Sequence, residues 1–292
     1  MKEHGGKKEV EDMTNIRDAA TVLLVREAQG SLQVYVQRRS PKLRAFAGVW
    51  AFPGGTVEEQ DRVPLWRQLL APFDEQQATV QAVWRERHCP AIDTLDFRKR
   101  LGPLIEKRIG AKIPADPIPD SSRDPAANLA SWVAAMRELF EETGVLLVAG
   151  RLPDRPTLRA WRQKVMQGEA AFHELLTRFA LKPLPNRLRY MGRLVTPSTE
   201  KRRFDTRFFL AGLPPDQEVD TSPEVNGEAV DGGWFAPQEM LENEGGKFPV
   251  VPPTRYALEI ISAYSTWDEL WQAFSSPDDG KELGGEGSGS AD

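Results

Sequence analysis

Two apolar stretches open the pattern, Ala19 to Arg26 (AATVLLVR) and Leu32 to Arg38 (LQVYVQR), parted by Glu-Ala-Gln-Gly-Ser. Short runs of this kind around a glycine-bearing turn predict a β-hairpin that reverses near Gly30. Val49 to Phe52 reads as a short strand that enters a Pro-Gly-Gly turn. Next come three apolar-periodic stretches, around Leu65 to Leu70, Gln76 to Arg87 and Ile92 to Ile109, each with the repeat of a helix. Asp124-Pro125 is a helix start, with Asp as the N-cap and Pro in the first turn. From there Leu129, Val133, Met136 and Phe140 form one apolar stripe that ends at Gly144.

Val145 to Ala149 predicts a further strand, and Thr157 to Met166 and Glu169 to Leu181 two helices with apolar residues at core spacing. Leu188 to Thr196, Arg203 to Ala211 and Glu228 to Phe235 are strand patterns, the second half-alternating, as in a sheet with one covered face. Thr254 to Ser265 reads as a helix, and Thr266-x-x-Glu269 is a capping box that opens a last one to Phe274. No internal repeat is found. Strands on both sides of a central helix predict an α/β (α+β) fold, a mixed sheet sandwiched between helices. The expected organisation is a polar tail over 1–16, one domain over 17–275 with a helical insertion at about 62–123, and a Gly- and Ser-rich tail over 276–292.

At 292 residues, 40% apolar and 28% charged, the chain has the composition of a soluble globular protein with a sizeable core. Its net charge of −5 argues against broad binding to nucleic acid or to membrane surfaces. One cysteine, Cys89, excludes an intramolecular disulfide and a thiolate zinc cage, which makes a reducing compartment the default. Met1 to Asn15 has no apolar core of a secretory signal, and no run reaches the roughly 20 apolar residues of a spanning helix. A cytoplasmic location is the expectation.

The candidate chemistry lies in Arg137-Glu-Leu-Phe-Glu-Glu-Thr-Gly-Val145. Glu138, Glu141 and Glu142 stand at helical spacings of three and four, so their carboxylates are expected to converge opposite the apolar stripe. Carboxylates grouped in this way suit a hard cation such as Mg²⁺, which in phosphate chemistry is held by a few carboxylates and the substrate's own phosphates. The bland alternative for such a cluster is a solvated helix face with Arg137 paired to Glu141.

This segment resembles the second half of the Nudix box, Gly-x5-Glu-x7-Arg-Glu-U-x-Glu-Glu-x-Gly-U with U aliphatic, and it fills every specified position. The first half is similar to Phe52-Pro53-Gly54-Gly55, followed after five residues by Asp61 where the family has Glu. Residues 62–136 then lie between Asp61 and Arg137 where the family pattern has seven, so the box is split by the insertion. Arg39-Ser40-x3-Arg44-x3-Gly48-x3-Phe52-Pro53-Gly54-Gly55 resembles the signature of Nudix coenzyme A diphosphatases. The split box, Arg202-Arg203-Phe204-Asp205-Thr206 and Pro252-Pro253-Thr254 resemble the peroxisomal branch of those enzymes and its bacterial relatives.

The resemblance implies a Nudix α/β/α sandwich and a hydrolase that splits a diphosphate between a nucleoside and another moiety. For coenzyme A the products would be 3′,5′-ADP and 4′-phosphopantetheine; the alternatives are ADP-ribose, NADH or dinucleotide polyphosphates as substrate, or a non-catalytic nucleotide-binding regulator. It implies Mg²⁺ or Mn²⁺ held by Glu141 and Glu142, with Glu138 as a further ligand or the water-activating base, and the Gly55 carbonyl as an added ligand. Arg137 would orient the glutamates. Glu228 is the candidate base outside the box, with a strand-end charge as its alternative. Arg39, Arg44 and Arg203 suit phosphate oxygens, or else surface ion pairs. Phe46, Trp50 and Phe204 suit adenine stacking, or else the core. His4, His88 and His173 suggest no histidine catalysis. By analogy a homodimer is expected, and the insertion is expected to form a helical cap over the pocket that influences substrate choice.

Overall fold

The structure, a computed structural model, describes residues 16–42, 47–88, 92–109, 112, 124–200, 202–221, 229–244 and 246–275. Both expected tails except Ile16, and with them His4, together with Arg44, Phe46, Cys89 and Glu228, lie outside the described residues.

The predicted hairpin is formed by β1 (Ile16–Ala28) and β2 (Ser31–Arg39), with Ala28 opposite Ser31. Gln29 and Gly30 between them both have positive φ, 55° and 74°, as a two-residue turn matched to strand twist requires. After it, β3 (Trp50–Ala51) pairs with β2, and β4 (Gly54–Thr56) pairs with β1. The glycine turn is thus itself a strand, which its lack of side chains concealed.

The insertion contributes α1 (Leu65–Leu69), α2 (Glu75–His88), a two-residue strand β5 (Ile92–Asp93) and α3 (Thr94–Ile109). The long helix of the motif is α4 (Pro125–Thr143). As the sequence predicts, the Asp124 carboxylate accepts from Ala127 N–H at its start, and Gly144 ends it at φ 76°, a left-handed conformation that costs glycine little. Of the strand expected at 145–149 only β6 (Val148–Ala149) forms. It pairs, after α5 (Arg155–Met166) and α6 (Phe172–Arg178), with β7 (Lys182–Pro183) in a small separate sheet.

Strands β8 (Leu188–Val195), β9 (Arg203–Gly212) and β10 (Ala229–Phe235) complete the main sheet, whose order is β10-β2-β1-β9-β8-β5. The pairs β1–β9 and β5–β8 are parallel and the others antiparallel, so the sheet is mixed. The chain ends in α7 (Pro237–Glu242), not foreseen, then α8 (Pro252–Ile261) and α9 (Trp267–Ala273), the last opened by the Thr266–Glu269 capping box.

Two apolar cores flank this sheet. Ala20, Val22 and Leu24 of β1 face one core with α1, α2, α4 and α6, while Leu23 and Val25 face the other with α3, α7, α8 and α9. The expectation of one covered face for β9 is therefore corrected. Phe209 and Ala211 enter the first core and Phe208 and Leu210 the second, as the near-continuous apolar run of a doubly covered strand allows. The architecture is an α/β/α sandwich.

The described part of the insertion packs into the body of the domain. Trp66, Leu70, Phe73, Ala78 and Ala82 belong to the first core, Ile92, Phe97 and Leu101 to the second, and β5 extends the sheet edge beside β8. Its apolar faces are buried by the domain itself. In consequence α4 is enclosed on nearly every side, with all residues from Ala127 to Phe140 buried, and no simple stripe remains.

Candidate active site

The site is built where α4 crosses β4. Asp61 lies on the 3-10 turn Glu59–Arg62 just after β4, and Arg137 projects from the middle of α4. All the N–H groups of the guanidinium find acceptors: Nε donates to Asp61 Oδ1 at 2.9 Å, and Nη2 to Asp61 Oδ2 and to the Thr56 carbonyl, each at 2.9 Å. Nη1 donates to Glu138 Oε1 at 3.0 Å and Glu141 Oε2 at 3.1 Å. Arg137 thus ties the two halves of the motif together across the insertion, in a place where its side chain is 1% exposed. Planar two-point pairing of this kind is available to a guanidinium and not to an ammonium.

Gly55 faces Glu138. A Cβ built on Gly55 would lie 2.4 Å from Glu138 Oε1, so a glycine is what lets the carboxylate lie against β4. Glu142 has partners of its own. Its Oε2 accepts from Gly54 N–H at 3.0 Å and from the Gln37 amide on β2.

Three carboxylates, Asp61, Glu138 and Glu141, therefore share one guanidinium in a buried place. Burial pushes the Glu138 carboxyl up to about 8; Glu141 and Asp61 add to this, and Arg137 works against it. Burial likewise raises Glu141 and Asp61, again against Arg137. Burial disfavours the charge on Arg137, but its hydrogen bonds to the Asp61 carboxylate and the charges of Glu138, Asp61 and Glu141 more than offset that and hold it protonated.

The expected convergence of Glu138, Glu141 and Glu142 on one point needs correction. Among the described residues no three His, Cys, Asp or Glu side chains are arranged to hold a metal ion. The reason lies in the competing partners: Glu138 and Glu141 rest on Arg137, whereas Glu142 is drawn to Gly54 and Gln37. In chemistry the set nonetheless fits a hard dication, because every donor is oxygen and the buried carboxylates outnumber the nearby cationic charge.

The other predicted residues are less close. Arg39 ends β2, two positions beyond Gln37 and so on the same face of the strand. Arg203 and Phe204 open β9, where Arg203 pairs with Ile16 and donates from Nε to the Thr196 carbonyl at 3.1 Å. That is four positions along β1 from Ala20, the partner of Gly55, so they are set apart from the glutamates. Trp50 is core: its ring meets Phe235 and Phe248 edge-on, and its indole N–H donates to the Lys247 carbonyl at 3.2 Å.

Three residues near the site escaped the sequence reading. Gln37 holds Glu142, and its signal was a polar residue at an inward position of an alternating strand. Tyr35, two positions earlier on that face, has a buried hydroxyl with no hydrogen-bond partner among the described residues, and burial pushes it up to about 12. Arg162 of α5 is 1% exposed and reaches the end of α4, a contact no local pattern announces.

No helix among the described residues is long and apolar enough to cross a membrane. In comparison with known proteins, residues 16–261 match the NUDT19 Nudix domain. Acyl-coenzyme A diphosphatase NUDT19 of Xenopus laevis is 24% identical over 257 residues, which cover 82% of this chain and 62% of that protein. The protein of the same name from Homo sapiens is 30% identical over 256 residues, covering 80% and 61%. The chain spans about three fifths of the length of these relatives. The crystal structure of a NUDIX hydrolase from Alicyclobacillus acidocaldarius aligns with a TM-score of 0.61 at 26% identity, over 89% of this chain and 97% of that one. Because the match runs from the first strand to the end of α8 and takes in both halves of the motif that Arg137 rejoins, the chain belongs to the family of NUDT19 Nudix domains.

Proposed function

We propose that this protein is a divalent-cation-dependent Nudix hydrolase that splits the diphosphate of coenzyme A or acyl-coenzyme A, releasing 3′,5′-ADP and (acyl-)4′-phosphopantetheine. The observation that carries the reading is the reassembled motif, with Asp61 and Arg137 paired beside Glu138, Glu141 and Gly55. The substrate class is supported by the relatives named acyl-coenzyme A diphosphatase and by the basic segment that starts at Arg39.

Glu138, Glu141 and Glu142 would hold Mg²⁺ or Mn²⁺ with the Gly55 carbonyl. When bound, such an ion supplies charge neutralisation for the phosphate oxygens and lowers the pKa of a water in its shell. The chain's own residues do the rest. Arg137 keeps Glu138 and Glu141 at fixed positions and balances part of their charge, and Gly55 leaves room for Glu138 beside β4. Glu138 serves either as a further ligand or as the group that takes the proton of the attacking water. Glu228 is retained as the alternative base, and Arg39, Arg44 and Arg203 as cations for the phosphates.

The test is mass spectrometry of the products after incubation with Mg²⁺ and coenzyme A, acetyl-coenzyme A, ADP-ribose or NADH. Fastest release of 3′,5′-ADP from a coenzyme A substrate is the expected result. Faster AMP release from ADP-ribose or NADH would replace the substrate and keep the chemistry, and binding without turnover would replace the enzyme by a regulator.

A further inference from the structure

The last turn of α4 carries Glu141 and Glu142, and a helix end leaves its final carbonyls without partners inside the helix. Here three of them are filled, each from a different direction. Gly144 N–H donates to Phe140 O at 2.8 Å, Arg162 Nε to Glu141 O at 2.7 Å, and Asp220 N–H to Thr143 O at 2.8 Å. Arg162 also joins the second and third of these, because its Nη1 donates to Asp220 O at 3.0 Å. A single buried guanidinium thus spans the helix end, the segment after β9 and its own helix α5. Arg159, one turn earlier on α5, secures the same segment through the Asp220 carboxylate at 2.7 Å.

The charge is also well placed. A cation at a helix C-terminus meets the negative end of the helix dipole. Burial lowers the pKa of Arg162, and the charges of Asp220 and Glu142 work against that shift. Without this donor, Glu141 O and Asp220 O would be two partly buried acceptors bearing the cost of an unmade hydrogen bond.

We propose that Arg162 is a positioning residue for the active site: from outside the motif it fixes the backbone of the turn that aims Glu141 and Glu142. This rests on the reading of those glutamates as cation ligands. A guanidinium is required because its two donor nitrogens reach carbonyls of two separate segments, a span that a single ammonium does not cover in the same geometry. Arg162 works through the backbone and touches neither substrate nor cation.

The experiment uses the full chain with Arg162→Lys and Arg162→Met, each checked by circular dichroism. Mn²⁺ affinity is read by electron paramagnetic resonance, backbone exchange in the metal-free protein by mass spectrometry, and kcat and KM with the diphosphate found active. Loss of a group that orients metal ligands typically costs 10–100-fold in metal affinity, so Arg162→Lys is expected to weaken Mn²⁺ binding by about tenfold and to lower kcat with KM nearly unchanged. Exchange at the Gly144 and Asp220 amides is expected to quicken.

A folded Arg162→Lys protein with wild-type exchange at those amides and wild-type Mn²⁺ affinity would overturn the proposal. If Arg162→Met does not fold, the lysine variant alone decides. If the unsubstituted protein binds no Mn²⁺, the cation reading fails by itself, and unaltered exchange at Gly144 and Asp220 in the lysine variant would overturn the role of Arg162 separately.

Discussion

Asp61 and Arg137 meet face to face through two hydrogen bonds of 2.9 Å, although residues 62–136 separate them in the chain. The insertion fills parts of both cores without disturbing this pair. Asp in place of Glu is accommodated because the 3-10 turn brings residue 61 close, with its carboxylate also accepting from Glu58 N–H at 2.8 Å.

Asp61→Ala removes one partner of a buried pair and leaves Arg137 with unmatched donors. Such losses cost about 3–5 kcal/mol, so urea denaturation should show a large fall in stability, whereas breaking the solvent-screened Arg67–Glu75 pair should change it little. Equal effects at the two sites would contradict the assignment.

Gly55→Ala is expected to separate activity from stability. The added methyl meets the movable end of Glu138, so the fold can yield by turning that side chain. A displacement of about 1 Å at a catalytic group can cost on the order of 10²-fold in rate, and steady-state kinetics should show a loss of that order with a thermal midpoint close to wild type.

Glu142→Gln keeps an oxygen for Gly54 N–H but removes the negative charge. Turnover is expected to fall by on the order of 10³-fold with the far-ultraviolet circular dichroism unchanged. Wild-type rates would remove Glu142 from the site.

The metal-free protein should lose stability as pH rises. Glu138 has an ordinary value of 4.5 and stands at about 8 in the fold, so the folded state binds its proton more tightly than the unfolded state. The stability this contributes is complete below about 4.5 and disappears as pH climbs through about 8. Glu141 and Asp61 are shifted in the same direction and add to the trend. Thermal melts from pH 5 to about 9 test this, and Glu138→Gln should flatten the curve. A stability that rose across this window in the presence of a chelator would refute it.

Trp66 and Phe97 lie on opposite faces of the sheet, both in the insertion and both buried. Truncation of a large buried aromatic costs about 3–5 kcal/mol, so Trp66→Ala and Phe97→Ala should each destabilise the whole domain, with near-additive effects in denaturant titrations. Excision of the insertion from Pro64 to Pro119 is expected to give an unfolded chain. A folded, active excision product would show that these contacts are dispensable.

Features that depend on neighbours along the chain are readable in the residues alone. Asp124 and Gly144 bound α4 because capping uses groups within one turn, and Thr266 with Glu269 opens α9 for the same reason. The hairpin at Gln29-Gly30 and both halves of the Nudix motif were legible for that reason too, their spacing being preserved on each side of the break. It takes the folded chain to show that Arg137 closes on Asp61, that Gln37 holds Glu142, and that Arg162 binds the end of α4. The fold also decides that β5 joins the sheet edge and that the insertion fills both cores, where helical periodicity alone allowed a cap. Periodicity states which face of an element is apolar, whereas the surface that covers that face is set by strand order and by contacts between residues far apart in sequence.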